Sequence, residues 1–212
     1  MAVGTVTDIS VQKRNKNRVN VYIDGDFACG LDSVTAVSAR LKIGGEISAE
    51  DLKRIVETSE VNSAFERAVG YLSSVPRAKR EIARYLADKG YDKDVIYKAI
   101  ERLEFYHYID DRAYASMYIR SKIKKYGSYR IAAELKQKGV DSAVISELLD
   151  ESDGESDNAV AVAQKYMSSH RTTDKQRVKR FLAGRGFSWD SISQAVCKLS
   201  DDGAFSNDHD DD

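Results

Sequence analysis

The chain has 212 residues, of which 42% are hydrophobic and 32% charged, with 13 glycines and one proline. This composition is typical of a helix-rich globular protein with a core of useful size. No apolar run approaches the roughly 18 residues that a membrane-spanning helix needs, so we expect no membrane contact. The first residues contain neither a basic segment nor an apolar one, which predicts that the protein is not secreted and stays in the cytoplasm.

The N-terminal part has the pattern of β-strands. Residues 3–31 contain β-branched side chains in rough alternation. Asp24-Gly25 lies between Ile23 and Phe27, and this is a hairpin signal because glycine adopts the positive φ of a tight turn. We therefore expect a small meander of about three strands.

Short helices are predicted to follow the strands. Asp32 is a candidate N-cap for a helix that continues to Lys42, where Gly44-Gly45 ends it. A second helix is predicted to end near Thr58, and Asn62 or Ser63 is predicted to begin the next one.

The rest of the chain contains an internal repeat. Three segments align without gaps: Ile82–Asp92, Ile131–Asp141 and Val178–Ser188. Each has two apolar residues four positions apart, which share one face of a helix, followed by a basic residue and a glycine. The glycine favours the left-handed conformation that ends a helix, and the Asp or Ser two residues later caps the next helix. The glycines, which are 49 and 47 residues apart, are Gly90, Gly139 and Gly186.

A further helical segment precedes each of these pairs, so the predicted unit is three helices repeated three times. The fold class is mainly α, with tandem three-helix repeats after a small N-terminal β-meander and helical extension. The predicted domains are 1–62 for the N-terminal part, 63–109, 110–151 and 152–199 for the repeats, and 200–212 for a disordered acidic tail. Residues 151–155 are interpreted as a mobile linker.

Charge is strongly segregated although the net charge is only −1. Residues 77–139 contain 16 Lys/Arg against 9 Asp/Glu, a net charge of +7, and residues 171–185 have a net charge of +5. The tail at 200–212 contains six aspartates and no basic residue. Basic blocks in a neutral protein indicate a polyanionic partner, although a solvated helix face explains any single block equally well.

The basic residues cluster around the second helix of each predicted repeat, and Tyr126 and Tyr129 flank one cluster. Phosphate contact without sequence recognition and docking on an acidic protein groove both fit this charge. We also hypothesise that the acidic tail competes with DNA for the basic face. The predicted contact residues are Arg77, Lys79, Arg80, Arg84, Arg120, Lys122, Lys124, Lys125, Arg130, Lys175, Arg177, Lys179 and Arg180.

The sequence contains little that indicates an enzyme. Cys29 and Cys197 have no metal or redox spacing and are expected to be free thiols, and the three histidines are not at ligand spacing. Asp110-Asp111 is the one carboxylate pair to weigh, either as an acid/base or magnesium pair or as a helix cap, and we favour the cap. The sequence predicts no enzyme, no metal and no cofactor.

A helix-turn-helix is the rival structural interpretation of each repeat. In that motif the residue four positions before the turn glycine is usually small, so that the two helices approach closely. Here the position holds Leu86, Leu135 and Leu182. These bulky side chains argue against a sequence-specific transcription factor.

Three blocks together resemble the RecX family, over about residues 64–150. The segment 103–115 contains Ile109-Asp110-Asp111 followed by an aromatic-Ala pair, and the segments 78–91 and 127–140 resemble the neighbouring blocks. The third repeat matches more loosely. This chain has His107 where the family usually has glycine.

The resemblance implies a function that spacing alone does not show. RecX proteins are cytoplasmic regulators with tandem three-helix repeats, and they have no known catalytic residues or cofactors. They lodge in the groove of the RecA–DNA filament and reduce its recombinase, ATPase and co-protease activities. We therefore expect a monomeric RecA regulator. A RecA-independent, sequence-non-specific DNA-binding protein is the alternative, and an enzyme that uses Asp110 and Asp111 is the third possibility.

Overall fold

The computed structural model describes residues 2–205 and confirms a mainly α fold with a small N-terminal sheet. Four strands form an antiparallel sheet in the order β3-β2-β1-β4. The strands are β1 (Ala2–Val11), β2 (Arg18–Ile23), β3 (Asp26–Asp32) and β4 (Glu46–Ser48). The fourth strand was not predicted, because three residues are too few to show an alternating pattern.

Ten helices follow in the described part of the chain, and none of those in residues 2–205 is both long and apolar enough to cross a membrane. The N-terminal pair is α1 (Ser33–Ser38) and α2 (Ala49–Leu72). The others are α3 (Lys79–Asp88), α4 (Lys93–Phe105), α5 (Asp111–Lys122), α6 (Ser128–Lys138), α7 (Ser142–Asp150), α8 (Glu155–His170), α9 (Lys175–Gly184) and α10 (Trp189–Asp201).

The prediction that one helix ends near Thr58 and another begins at Asn62 or Ser63 is wrong, since α2 is continuous through these residues. The polar residues that resemble caps have tertiary partners instead. Ser59 is buried and its hydroxyl accepts a hydrogen bond from the Asp32 N–H, and the Asn62 amide donates to the Thr35 hydroxyl. No Gly or Pro lies between Thr58 and Ser63, so nothing in the backbone ends the helix at the predicted break.

Asp32 caps α1 as predicted, and its carboxylate accepts from the Thr35 N–H. The helix ends at Ser38 rather than at Lys42, because Arg40 adopts a left-handed conformation with φ of 53°. Among the repeats, Asp141 and Ser188 cap α7 and α10 through their side chains as predicted. Asp92 occupies the N-cap position of α4, but the predicted side-chain cap is wrong there, because its carboxylate makes no capping hydrogen bond.

The chain divides into two compact units. Unit 1 contains the residues up to Arg77 and the segment Glu81–Ile109. Unit 2 contains Ala78–Arg80 and the residues from Asp110 onward. Unit 1 contains one core under the sheet and a second core between α2, α3 and α4. Unit 2 contains one core among α5, α6 and α7, and one among α8, α9 and α10. The repeat leucines Leu86, Leu135 and Leu182 are all fully buried in these cores.

Two predicted irregular segments are more ordered than expected. Only Glu151–Gly154 separates α7 from α8, and Glu155 begins α8, so the prediction of a mobile linker is wrong at Glu155. The predicted disordered tail is wrong at its start, because Ala204 and Phe205 pack against the last core. The apolar Phe205 ring explains this packing. The rest of the predicted tail, 206–212, lies outside the described residues.

The exposed His107 follows the end of α4 with a φ of 56°, the left-handed conformation that favours glycine. A non-glycine residue there is strained by about 1 to 2 kcal/mol. We predict that His107→Gly raises the free energy of unfolding by about 0.5 to 1 kcal/mol, because the strain relieved exceeds the added chain entropy. Urea denaturation measures it. The control Glu101→Gly, inside α4, should lower stability by about 1 kcal/mol, and a loss at His107→Gly would contradict the prediction.

Candidate functional site

The Asp110-Asp111 pair forms helix caps, as the favoured interpretation predicts. The Asp110 carboxylate accepts the Ala113 N–H at 2.9 Å and caps its own helix α5. The Asp111 carboxylate accepts the Lys79 N–H at 2.8 Å, at the first residue of α3. Within residues 2–205 no group of three or more His, Cys, Asp or Glu side chains is placed to hold a metal ion.

Glu155 has the corresponding position in the third repeat and was not predicted. Its carboxylate accepts the Ser128 N–H of α6 at 2.6 Å and the Ser188 and Ser191 hydroxyls at 2.7 Å. Burial alone would raise the pKa of Glu155, but these hydrogen bonds outweigh it and hold the pKa below its usual value. The acid that begins one repeat thus caps the second helix of the preceding repeat. The second helix of the third repeat is α9. Its cap comes from its own repeat, because the Asp174 carboxylate accepts the Arg177 N–H.

We predict that Glu155→Ala lowers the free energy of unfolding by about 2 kcal/mol at pH 7, because three hydrogen bonds to a half-exposed carboxylate are lost. Urea denaturation measures the loss. The matched control is Asp157→Ala in the same helix turn, whose exposed ion pair with Lys198 is worth at most about 0.5 kcal/mol.

The stability difference between wild type and Glu155→Ala should depend on pH with a defined sign. The folded-state pKa of Glu155 is lowered, so its stabilisation is fully present above the ordinary Glu value of 4.5. It disappears as the pH falls through the lower folded-state pKa. The gap between wild type and Glu155→Ala should therefore shrink in acid, and a gap that is constant down to pH 2 would contradict this account.

The repeat glycines also contact the preceding repeat within unit 2. Gly139 and Gly186 have φ of 93° and 79° and close their helices as predicted. A Cβ at Gly139 would overlap the Arg80 side chain, and a Cβ at Gly186 would lie 2.6 Å from the Arg130 nitrogen. Gly90 has the same backbone conformation, with open space where a Cβ would lie. Arg80 and Arg130 therefore have a packing role beside any contact with a partner.

Each repeat places a tyrosine on its first helix, three residues after a fully buried alanine. Tyr71 stacks on Tyr85 with ring centroids 3.9 Å apart, and Tyr166 stacks on Phe181 at 3.8 Å. Tyr118 instead donates a hydrogen bond of 2.6 Å to Glu134, and burial together with this carboxylate raises the pKa of the phenol. The basic residue before each glycine lies over one of these rings, and these residues are Lys89, Lys138 and Arg185.

In unit 2 these contacts join into a column of rings and cations. Arg185 lies over both Phe181 and Tyr126, at 5.0 and 5.3 Å from the ring centroids. Tyr126 also lies under Arg130 at 4.2 Å and near Lys122 at 5.7 Å. Cation–aromatic contacts of this length each favour the observed position of the charged group by about 0.5 to 1 kcal/mol. Tyr126 is therefore a half-buried packing residue, whereas Tyr129 beside it is 67% exposed.

The predicted contact residues separate into three groups: engaged by neighbours, half-buried and exposed. Four are engaged by neighbours: Arg77 lies over Tyr71, Lys122 and Arg130 belong to the column, and Arg177 donates to the Tyr166 hydroxyl. Lys179 is half-buried, and Lys79 and Arg80 are exposed at the start of α3. The remaining six side chains are also exposed, and they are Arg84, Arg120, Lys124, Lys125, Lys175 and Arg180.

The structure brings two of these residues into a groove that the sequence did not reveal. A cavity of about 440 Å³ between the end of α5 and helices α8 and α9 is lined by Lys124, Lys125, Lys165 and Arg185. His170 also lines it, and none of the described residues that line it is acidic. We call this the basic groove. Its apolar part consists of Ala161, Val162, Tyr166 and Phe181.

Lys165, His170 and Arg185 are absent from the predicted contact set. Arg185 occupies the basic position before the repeat glycine, so the repeat register already contained a signal for it. Lys165 precedes the repeated tyrosine of the first helix. Both residues were missed because they are about 40 and 60 positions from Lys124 in sequence.

Family models match most of the chain in order. The model for the regulatory protein RecX N-terminal domain matches residues 4–48, and those for the first, second and third RecX three-helix domains match 64–103, 110–149 and 153–196. The chain belongs to the RecX family. The third repeat, which resembled the family only loosely, is thus included in RecX.

Curated RecX relatives match the chain at nearly full length. Regulatory protein RecX of Clostridium botulinum (strain Eklund 17B / Type B) is 34% identical over 199 residues, which are 90% of this chain and 94% of the relative. The RecX protein of Clostridium acetobutylicum is 32% identical over 209 residues, covering 94% and 98% of the two chains.

Solved structures agree with the RecX assignment. A crystal structure of regulatory protein RecX superposes with a TM-score of 0.72 at 26% identity and covers 95% of this chain and all of that one. The RecX structure from Lactobacillus salivarius gives a TM-score of 0.62 at 24% identity over 68% of this chain and 98% of that chain, which supports the fold.

Proposed function

We propose that this RecX-family protein is a non-catalytic regulator of RecA. It lodges in the groove of the RecA–DNA filament and lowers the recombinase, ATPase and co-protease activities, and thereby regulates DNA repair and recombination. It acts in the cytoplasm as a monomer. Membership of a regulatory protein family across the whole chain supports the regulatory part of this proposal.

The observation that carries the proposal is the exposed, unpaired positive charge at the end of α5 and just after it. Arg120, Lys124 and Lys125 are exposed, and no ion pair within the described residues neutralises them. Such cations fit a filament whose surface presents phosphates and acidic side chains. The filament repeats, and so does the array of basic helices, so several weak contacts can act together.

The test is RecA ATP hydrolysis on single-stranded DNA, with the protein titrated into RecA of the same organism. The variant is Arg120→Glu/Lys124→Glu/Lys125→Glu. Its matched control is Lys13→Glu/Arg14→Glu/Lys16→Glu, which reverses three equally exposed charges in the β1–β2 turn. The substitutions at these six residues leave the column of rings and cations and the helix caps unchanged.

Wild-type protein should inhibit well below one copy per RecA. The triple reversal should raise the half-inhibitory concentration at least about tenfold, since three favourable charge contacts become repulsive, while the control should stay within about twofold. Equal potency of the two variants would contradict a role of the basic face in inhibition. Absence of inhibition by the wild-type protein would contradict the proposed action on RecA.

A RecA-independent, sequence-non-specific DNA-binding protein is the second candidate, and the basic groove favours it. Four cations in a groove lined by no acidic side chain among residues 2–205 fit phosphate contact equally well. This candidate predicts equal affinity for any DNA sequence, a steep salt dependence and no effect of the protein on RecA.

A further inference from the structure

The basic groove is lined by four cations and by apolar side chains, and its two aromatic rings already have partners. Phe181 stacks on Tyr166, and the Arg185 guanidinium lies over the Phe181 ring. Tyr166 is covered in turn by Phe181 and by His170, whose ring centroid is 4.3 Å away. Stacking of nucleic-acid bases needs an open ring face. The groove therefore suits a flexible peptide that bears carboxylates and small side chains.

We propose that the chain's own acidic segment, residues 206–212, docks in the basic groove and competes there with the polyanionic partner. The segment reads Ser-Asn-Asp-His-Asp-Asp-Asp and contains four aspartates, which matches the four cations of the groove in number and in sign. Charge complementarity of this kind selects a partner and fixes its approach.

The position of Phe205 brings the segment to the groove. Ala204 and Phe205 pack against the same core that Val162, Tyr166 and Phe181 contact from the groove side. Seven extended residues reach roughly 24 Å. A repeat of about 45 residues is roughly 24 Å across, so the length of the extended segment is comparable with the width of the third repeat.

Tethering makes this contact competitive although each carboxylate–lysine pair is weak. A short tether gives the docked segment an effective concentration on the order of millimolar. A partner must displace the segment, so the apparent affinity for a polyanion equals the intrinsic affinity multiplied by the fraction of molecules in which the segment is not docked. Salt screens the contact. The contact itself does not depend on the proposed action on RecA.

Zero-length carbodiimide cross-linking of the full chain, read by mass spectrometry, tests the contact directly. This reagent joins carboxylates to lysine amines that touch them. We expect cross-links from Asp208 and Asp210–212 to Lys124, Lys125 and Lys165 at low salt, and their loss in 0.5 M NaCl, where the Debye length falls below about 5 Å. A mixture of ¹⁵N-labelled and unlabelled protein identifies links within one chain.

Two lysine sets serve as controls for the cross-linking. Lys124→Arg/Lys125→Arg/Lys165→Arg keeps the charge but removes the reactive amines, so the links should vanish while the fold is retained. Lys13 and Lys16 are equally exposed in unit 1 and should not be linked. Links spread over all exposed lysines, or links mainly between chains, would overturn the proposal.

A binding experiment tests the competition, with a fluorescein-labelled dT20 oligonucleotide and fluorescence anisotropy at 50 mM salt. Neutralising the segment by Asp208→Asn/Asp210→Asn/Asp211→Asn/Asp212→Asn should raise the affinity for dT20 about fivefold, since the groove is no longer occupied. The same change in a Lys124→Ala/Lys125→Ala/Lys165→Ala background should have less than about a twofold effect.

Equal gains in both backgrounds would mean that the segment acts only through net charge, which overturns the docking. No gain in the wild-type background would overturn the competition. Both experiments omit RecA, so their outcomes are separate from those of the ATPase assay.

Discussion

Replacing Gly186 by alanine is expected to lower the free energy of unfolding by about 3 to 4 kcal/mol. The left-handed backbone at 186, with φ of 79°, strains any L-residue with a Cβ by about 1 to 2 kcal/mol. The new Cβ would also lie 2.6 Å from the Arg130 nitrogen, and this overpacking adds about 1 to 3 kcal/mol because backbone cannot move aside cheaply. Urea denaturation of the full chain measures the loss.

Gly154→Ala is the matched control, since Gly154 has φ of 88° and open space where the new Cβ would lie. This variant has only the backbone strain, so its free energy of unfolding should fall by about 1 to 2 kcal/mol. If both variants lose the same stability, the glycine of the third repeat has no role in contact with the second repeat.

Leu182→Ala is expected to lower the free energy of unfolding by about 3 to 4 kcal/mol. Leu182 is fully buried among α8, α9 and α10, and truncation there removes transfer energy and leaves a cavity. Hydrogen exchange of the amides of these helices measures the loss locally, because exchange in a packed helix requires it to open.

The control Leu182→Met keeps the volume and should cost less than about 1.5 kcal/mol. Protection that is unchanged in Leu182→Ala would show that the repeat leucine is not a core position. That result would also reopen the helix-turn-helix interpretation, in which this position is small.

The repeat itself could be predicted from sequence because its signals are local. Gly90, Gly139 and Gly186 end helices through their own backbone conformation, and Asp141 and Ser188 cap the helices that follow two residues later. Apolar residues four positions apart identify the buried face of each helix. These features need no knowledge of what packs against them, and the structure confirms them except for the side-chain cap predicted at Asp92.

The features that escaped prediction all depend on distant partners. Ser59 and Asn62 resemble caps until Asp32 and Thr35 are seen beside them. Glu155 resembles part of a polar linker until the Ser128 N–H meets its carboxylate. A local pattern cannot distinguish a polar residue that ends a helix from one that bonds across the fold.

The candidate site was predicted in its charge but not in its geometry. Lys124 and Lys125 were predicted as contact residues, and their contact role stays a prediction. No local pattern indicates that Lys165 and Arg185 line one groove with them, because the chain returns to this place only after two more helices. Nor does any local pattern indicate that Lys122 and Arg130 both lie against the Tyr126 ring.

The most direct test of the proposed RecA function is co-sedimentation of the protein with preformed RecA filaments on single-stranded DNA, compared with the same DNA alone at 150 mM salt. We predict saturable binding to the filament with a dissociation constant at least about tenfold lower than for naked DNA, because protein and phosphate contacts then act together. Equal affinity for filament and naked DNA would contradict the RecA function and favour the DNA-binding alternative.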